Sequence, residues 1–425
     1  MTGEERRAVQ VLRAHGYEVA DIQSLAKDQG DFAVRVPPRR LRPAPGVRFE
    51  AKTVELGGGC FTNVFTLRIR LDRASAAVAS SASGFYLRDL LGTCGVSVAV
   101  SGSFSFISDD PSYQPAEPCL DFCCRDGEIV SLPTAPKPAF LVHRDRPVLR
   151  ALPAEGRVRV GETTYTWRGS KAAPADAAQE PAALRVFNAA NCRVEYEDHP
   201  RTGFVRFVDR RGNVTPADPG ALDCTVVRLP GGGHVISAVR QGGGADLFAG
   251  SFVLRGHVSQ GAVLREGAPV RVLGIGGLDA SEISSGMSVG PSAADAAAGR
   301  VAAYDASLGL SPFRDVRYAR TLVRIGGGEV WFRVFDGAPL TETFQGVTPA
   351  EAVRLCAADG MPPDETHHLD GGQSSKIGFL EKGEARVLGS MHYLEWPRDE
   401  TADFRWRGLE GRRLKSAIVL RTATR

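Results

Sequence analysis

The sequence predicts an α+β fold of mixed, largely antiparallel twisted sheets with few helices. Three observations carry that expectation. Strand-like alternation recurs along the chain, glycine is abundant at 48 of 425 residues, and only one segment carries a full set of helix start and stop signals. Glycine above its usual share of roughly 7% supplies the positive φ angles that many tight turns need.

The elements follow in chain order. Residues 3–15 read as a short helix with Ala8, Val9 and Leu12 on one face. The Pro/Arg-rich stretch VPPRRLRPAPG at 36–46 cannot be helical and reads as an extended linker, so residues 1–45 form an N-terminal helix and linker ahead of one domain at 46–425. In FTNVFTLRIRL, Phe61, Phe65, Leu67, Ile69 and Leu71 alternate as in a half-buried strand. GFYLRDLLG at 84–92 reads as a short helix, and GVSVAVSGSFSFI at 95–107 as a buried strand running into a Gly/Ser turn. Residues 153–182, ending in KAAPADAAQEP, read as a surface excursion. Strands resume at 184–188 and 203–208. Two hairpins then turn on glycine triplets, Gly231 to Gly233 and Gly326 to Gly328. The clearest helix starts at Thr348, with Pro349 at its first position, Glu351 at its third, and Gly360 past its end. The tail LKSAIVLR reads as a strand.

Composition excludes several classes. With 43% hydrophobic and 24% charged residues the chain is globular. A net charge of +3 gives no basic field for nucleic acid. No apolar run of about 18 residues predicts a membrane span, and the charged first residues lack the apolar core of a signal peptide, so a cytoplasmic protein is expected. Only seven of the 52 basic residues are lysine, which with the abundant Ala and Gly suggests a GC-rich bacterial genome. The eight cysteines are expected to be reduced. Cys119, Cys123 and Cys124 form a CxxxCC cluster but lack the second pair of a zinc site, so neither metal nor cofactor is expected. No HExxH, P-loop, GxSxG or dinucleotide glycine motif is present.

The chemistry-bearing segment is HHLDGGQSSKIGF at 367–379. Asp370 precedes the pair Gly371 and Gly372, followed by Gln373, Ser374, Ser375 and Lys376. Glycines let backbone N–H groups approach a ligand, and hydroxyls and N–H groups suit phosphate or sugar oxygens. An Asp-Gly-Gly turn between strands is the plainer reading.

LDGGQSS resembles the LDGGGSS motif of the phosphodiester glycosidase family. Five further segments resemble that family in its own order: VAVSGSFSF (98–106), RDGEIVSLP (125–133), RVFNAANCR (185–193), SGMSVGPS (285–292) and YARTLVRIGGGEVWFRVFDG (318–337). The match spans roughly 47–422 and implies that family's fold. The chain departs from the pattern at Ser101, Ser103, Ser105, Ala319, His368 and Gln373, and keeps Gly102, Phe104, Arg320, Asp370, Gly371, Gly372 and Ser374.

The resemblance implies hydrolysis of the sugar C1–O bond of a phosphate-linked sugar or nucleoside-like small molecule; the expected cytoplasmic location and GC-rich bacterial composition add the expectation of a role in specialised-metabolite biosynthesis. Two carboxylates are the default for such chemistry. Asp370 is the first candidate, as base or nucleophile; Asp336 is the second, with Asp109 and Asp110 behind it. Arg320 is placed to clamp the phosphate. His368 is an acid–base candidate if it shares a regular strand face with Asp370. Ser101, Gly102, Ser103, Gly371, Gly372, Gln373, Ser374 and Ser375 are expected to line the substrate site, with Asn188 and Asn191 as lesser candidates. The alternatives are a non-catalytic sugar- or phosphate-binding protein on the same fold, or a scaffold turned to a lyase or transferase step. Neither nucleic acid nor membrane is an expected partner.

Overall fold

The computed structural model describes residues 18–19, 34–105, 119–172, 183–192, 195–197, 205–207, 213–301, 304, 313, 315–337, 343–389, 394–395, 405–406 and 413–422. The expected helix at 3–15 and the aspartates Asp109 and Asp110 lie outside them.

Among the described residues, two sheets form a sandwich. A six-stranded antiparallel sheet runs in the order Thr366–His368, Arg320–Gly326, Glu329–Phe335, Cys60–Arg70, Val47–Gly57 and Arg39–Leu41. A five-stranded sheet runs Glu384–Leu388, Ile377–Glu381, Val98–Ser101, Leu414–Thr422 and Ala74–Phe85. Phe49, Phe65, Leu67, Ile69, Val323, Phe332 and Val334 of the first meet Val98, Val100, Ile377, Phe379, Ile418 and Leu420 of the second in one core. Phe49 packs on Phe379 with ring centroids 4.6 Å apart.

The strand Cys60–Arg70 was expected to be half-buried, but seven consecutive residues of it are buried. The cause is the capped helix Pro349–Ala358, which covers the outer face of the six-stranded sheet through Ala352 and Cys356 against Val64, Leu322 and Phe335. A strand covered on both faces loses its polar alternation. The Thr348 cap forms as read: Glu351 N–H donates to Thr348 Oγ1 at 3.1 Å, and Thr348 N–H donates to Glu351 Oε2 at 2.9 Å.

A second unit follows. Arg146–Leu152, Lys137–His143, Ile283–Ser288, Cys123–Arg125 and Glu128–Ser131 form a five-stranded sheet. Beside it a seven-strand barrel closes where Glu155–Val160 pairs with Pro269–Ile275. Val158, Val160, Trp167, Leu184, Cys224, Phe252 and Leu254 fill it. Closure needs glycine at 156, because a Cβ there would lie 2.0 Å from the Gly274 carbonyl oxygen.

Three expectations are corrected. The fold is more β than α+β: strands hold 52% of the described residues and helices 12%. Residues 153–182 are not all surface excursion, since Glu155–Val160 and Thr163–Gly169 are barrel strands and Trp167 is fully buried. The Ala/Pro-rich composition that suggested an excursion sits at 173–182, outside the described residues. The linker at 36–46 contains an edge strand, Arg39–Leu41, with Val36 buried beside it; Pro37 and Pro38 are compatible with a sheet edge. No disulfide forms among the described cysteines. Burial pushes the Cys124 thiol up to about 12. Among the described residues no helix is long and apolar enough to cross a membrane.

Candidate functional site

The segment carrying Asp370 is pinned on two sides. Leu369 N–H donates to Thr321 O at 2.9 Å and Gly372 N–H to Ala319 O at 2.7 Å, which lays the segment beside the start of the strand Arg320–Gly326. On the other side Asp370 N–H donates to Gly102 O at 2.8 Å. Asp370 therefore stands where the two sheets of the sandwich meet, half-buried, its Oδ1 accepting from Gly371 N–H at 3.0 Å.

The glycines are there for packing. A Cβ on Gly102 would lie 2.6 Å from Ser416 Oγ, and one on Gly372 would lie 2.1 Å from Tyr318 Oη, at a φ of +60°. The expected amide cradle is not open. The N–H of Gly371 serves Asp370, that of Gly372 serves Ala319, and those of Ser374 and Ser375 donate to Gly371 O and Gly372 O. Gln373 lies in this tight Gly372–Ser374 turn with its side chain half-buried.

Ser101 joins the sheets. Its Oγ is 3.1 Å from Thr321 Oγ1, and its N–H donates to Lys376 O at 3.1 Å. Ser103 Oγ and Ser375 Oγ are buried with no hydrogen-bond partner.

His368 ends its strand, so strand periodicity does not carry it onto the face of Asp370. Its N–H donates to Pro291 O at 3.0 Å, its carbonyl accepts from Gly290 N–H at 2.7 Å, and its ring meets Phe313 edge-on at 5.2 Å. Nε2 is buried without a partner. Burial first, then the charge of Arg320 and the neighbouring His367, hold the imidazole well below its ordinary value and therefore neutral. Such a group is a poor base and carries no proton to give near neutrality.

Arg320 is 2% exposed; its Nε donates to Val347 O at 2.8 Å and Nη2 to Val316 O at 3.1 Å. Burial pulls it down to about 10, which leaves it cationic. These bonds make it a brace for the segments flanking Asp370. Asp336 is fully buried: its N–H donates to Asn63 O at 2.8 Å and its Oδ1 accepts from Gly337 N–H at 2.9 Å. It follows Phe335, which pairs with Arg320, so two strand spacings, about 10 Å of backbone, separate it from Asp370.

A second polar cluster, which sequence reasoning missed, lies one segment away. Leu120 N–H donates to Phe104 O at 2.8 Å, and Gly290 is pressed between Phe104 and His368. Next to Leu120, Asp121 holds a φ of +81°. Its Oδ1 accepts from Thr134 N–H at 2.7 Å and from Asn188 Nδ2 at 3.3 Å, and its Oδ2 is 3.1 Å from Lys137 Nζ. Asn188 Nδ2 also donates to Leu132 O at 2.8 Å, and Asn191 Nδ2 donates to Ser170 Oγ. Both asparagines are thus structural hydrogen-bonders.

No family model matches the chain, and no curated protein does. Solved structures resemble it in fold. A hypothetical protein from Synechocystis superposes with a TM-score of 0.53 at 13% identity, over 91% of this chain and 64% of its own length. A Burkholderia pseudomallei protein inferred to be exported gives 0.48 at 17%, over 85% and 74%. The catalytic domain of zebrafish N-acetylglucosamine-1-phosphodiester alpha-N-acetylglucosaminidase, auto-inhibited by its pro-peptide, gives 0.40 at 10%, over 92% and 88%. At these identities the first shows a shared fold alone. This chain spans a little under two thirds of that Synechocystis chain.

What the site offers chemically is one half-exposed carboxylate in a rigid frame, with a neutral imidazole and two unpartnered hydroxyls among the same segments. Among the described residues no group of three or more His, Cys, Asp or Glu could hold a metal ion.

Proposed function

We propose that this protein is a hydrolase that cleaves the sugar C1–O bond of a phosphate-linked sugar or nucleoside-like small molecule, with Asp370 as its base or nucleophile. The observation that carries the reading is the placement of Asp370. It is a half-exposed carboxylate pinned to Gly102 on one side and to Ala319 and Thr321 on the other, so that three of the six motif segments meet around it. Phosphate leaves readily, so the reaction needs little acid assistance, and one carboxylate that stabilises an oxocarbenium-like centre or aims a water can carry most of it. Asp336 would support the frame, and Arg320 would act by holding the segments around Asp370. A cytoplasmic enzyme of this kind in a GC-rich bacterium would trim a phosphorylated intermediate of a specialised metabolite.

The test is sugar release from a panel of sugar-1-phosphodiesters and nucleotide sugars. The wild-type chain should turn over at least one, and Asp370→Asn should lose on the order of 10²–10⁴-fold in kcat with little change in ligand affinity. Release of no sugar from the whole panel overturns the reading. A second reading, a sugar- or phosphate-binding protein without turnover, is favoured by the neutral His368, which cannot serve Asp370 as an acid–base partner. It predicts saturable binding without turnover, unchanged in kind by Asp370→Asn.

A further inference from the structure

A carboxylate that acts on a phosphate-linked sugar works best with a hydrogen-bond donor aimed at the oxygen that departs. His368 is neutral and fully buried, and Asp336 is buried two strand spacings away, so neither supplies that donor to Asp370. The structure brings a phenol to the segment instead.

Tyr318 stands two residues before Arg320. Its backbone is fixed to the residue ahead of the Thr348 cap: Tyr318 N–H donates to Val347 O at 3.1 Å, and Val347 N–H donates to Tyr318 O at 3.0 Å. Its side chain is half-buried and lies over the two glycines that follow Asp370. A Cβ on Gly371 would be 3.7 Å from Cδ1 and Cε1 of the ring. A Cβ on Gly372 would be 2.1 Å from Oη and 2.4 Å from Cζ. The oxygen end of the ring therefore makes the closest approach, into space that a side chain at 372 would fill. The glycine pair does more than make a turn. It admits the Tyr318 hydroxyl to the half-exposed Asp370.

A cation stands behind this hydroxyl. The register that pairs Leu322 with His368, carried on through the bond from Leu369 N–H to Thr321 O, sets Asp370 opposite Arg320. Arg320 stays cationic and within electrostatic reach of Tyr318. The carboxylates near it are Asp315 and Glu351, and Glu351 is taken up by Arg317 at 2.8 Å. Two carbonyls hold the Arg320 guanidinium in the frame, so it acts on a ligand through its field. Tyr318 is the more exposed of the two and acts by contact. A hydroxyl that donates to an ionised phosphate oxygen makes a charge-assisted bond, stronger than one between neutral groups.

We propose that the Tyr318 hydroxyl donates to the phosphate of the ligand held at Asp370 and, in the hydrolysis proposed above, to the oxygen that leaves the sugar. The step rests on that reading; the phosphate contact does not need it. The C1–O bond breaks and its electron pair stays on the phosphate oxygen, where Tyr318 hydrogen-bonds the new charge. Water supplies its oxygen to C1 and gives one proton to Asp370. Tyr318 keeps its own proton throughout.

Tyr318→Phe is the test, because it leaves the ring on the glycines and removes one oxygen. Inorganic phosphate is titrated into the full chain by calorimetry, and sugar release is followed on the sugar-1-phosphodiester panel. Tyr318→Phe should weaken phosphate binding on the order of ten-fold and lower kcat/KM on the order of 10²-fold. Equal phosphate affinity in the two chains, or no saturable binding by the wild type, overturns the proposal whatever the sugar assay gives. Undiminished sugar release by Tyr318→Phe overturns its part in the step. Phosphate binding that depends on Tyr318, with no sugar released by the wild type, supports the contact and overturns the hydrolase reading alone.

Discussion

At the scale of single residues, the glycines of the Asp370 segment are the most constrained positions. Gly372→Ala meets two penalties, a positive φ and the Tyr318 ring. We expect a loss of about 1–3 kcal/mol, read as a lower urea midpoint. Tyr318→Ala in the same chain should return only the steric share, because the backbone strain stays. Lys171 gives a second prediction. Its pKa is lower folded than unfolded, so the unfolded chain binds the extra proton between about pH 8 and its ordinary value near 10.5. Its burial penalty is present in full below pH 8 and lifts as pH rises through that window. Lys171→Met should therefore stabilise the protein more at pH 7 than at pH 10, and a pH-independent effect would contradict this. The Asp370 segment was legible in the sequence because two adjacent glycines after an aspartate announce a backbone constraint. The cluster of Asp121, Lys137 and Lys171 was not, since polar residues met singly look like surface. Only the folded chain brings residues 121, 134, 137, 171 and 188 together.

At the scale of elements, the helix Pro349–Ala358 was readable to the residue, because its cap, its proline and its closing glycine are all local signals. Thr348→Ala should cost about 1 kcal/mol in a denaturation series. What holds the helix to the sheet was not readable. Arg333, fully buried on the strand Glu329–Phe335, donates to Leu355 O at 3.0 Å in the last turn of the helix and pairs with Asp359 just past it. A cation there meets the negative end of the helix. Arg333→Met should cost about 2–3 kcal/mol, less than a wholly buried pair, because Asp359 is partly exposed and keeps Lys52 at 3.0 Å. A change within 0.5 kcal/mol would show that the pair is idle. The barrel strands Glu155–Val160 and Thr163–Gly169 escaped the sequence reading for a related reason. Their alternation is carried by few large apolar residues, chiefly Val158, Val160 and Trp167, amid threonine and arginine, and barrel closure is a pairing across more than a hundred residues.

At the scale of the whole molecule, three histidines are held below their ordinary value chiefly by burial: His234, His367 and His368. The unfolded chain takes up protons near pH 6.5 that the folded chain refuses, so stability is unaffected above that pH and falls as pH drops below it. Each such proton contributes up to about 1.4 kcal/mol per pH unit. A urea series from pH 7 to 5 should show the decline, and His368→Asn should make it shallower. A flat series would mean that all three imidazoles titrate freely in the fold.

The strand Leu414–Thr422 lies inside its sheet, between Val98–Ser101 and Ala74–Phe85. On the ribosome, those two early strands wait for a partner made some three hundred residues later, roughly 15–60 s at bacterial and eukaryotic synthesis rates. Throughout that interval their edges could template the wrong pairing. The segment from Ala74 to Phe85 is alanine, serine and one valine until its final Gly-Phe, and the segment from Val98 to Ser101 is two valines, an alanine and a serine. Small, weakly apolar side chains give a waiting edge little to adhere with. The blandest strands in the sandwich are the ones that spend longest without a neighbour.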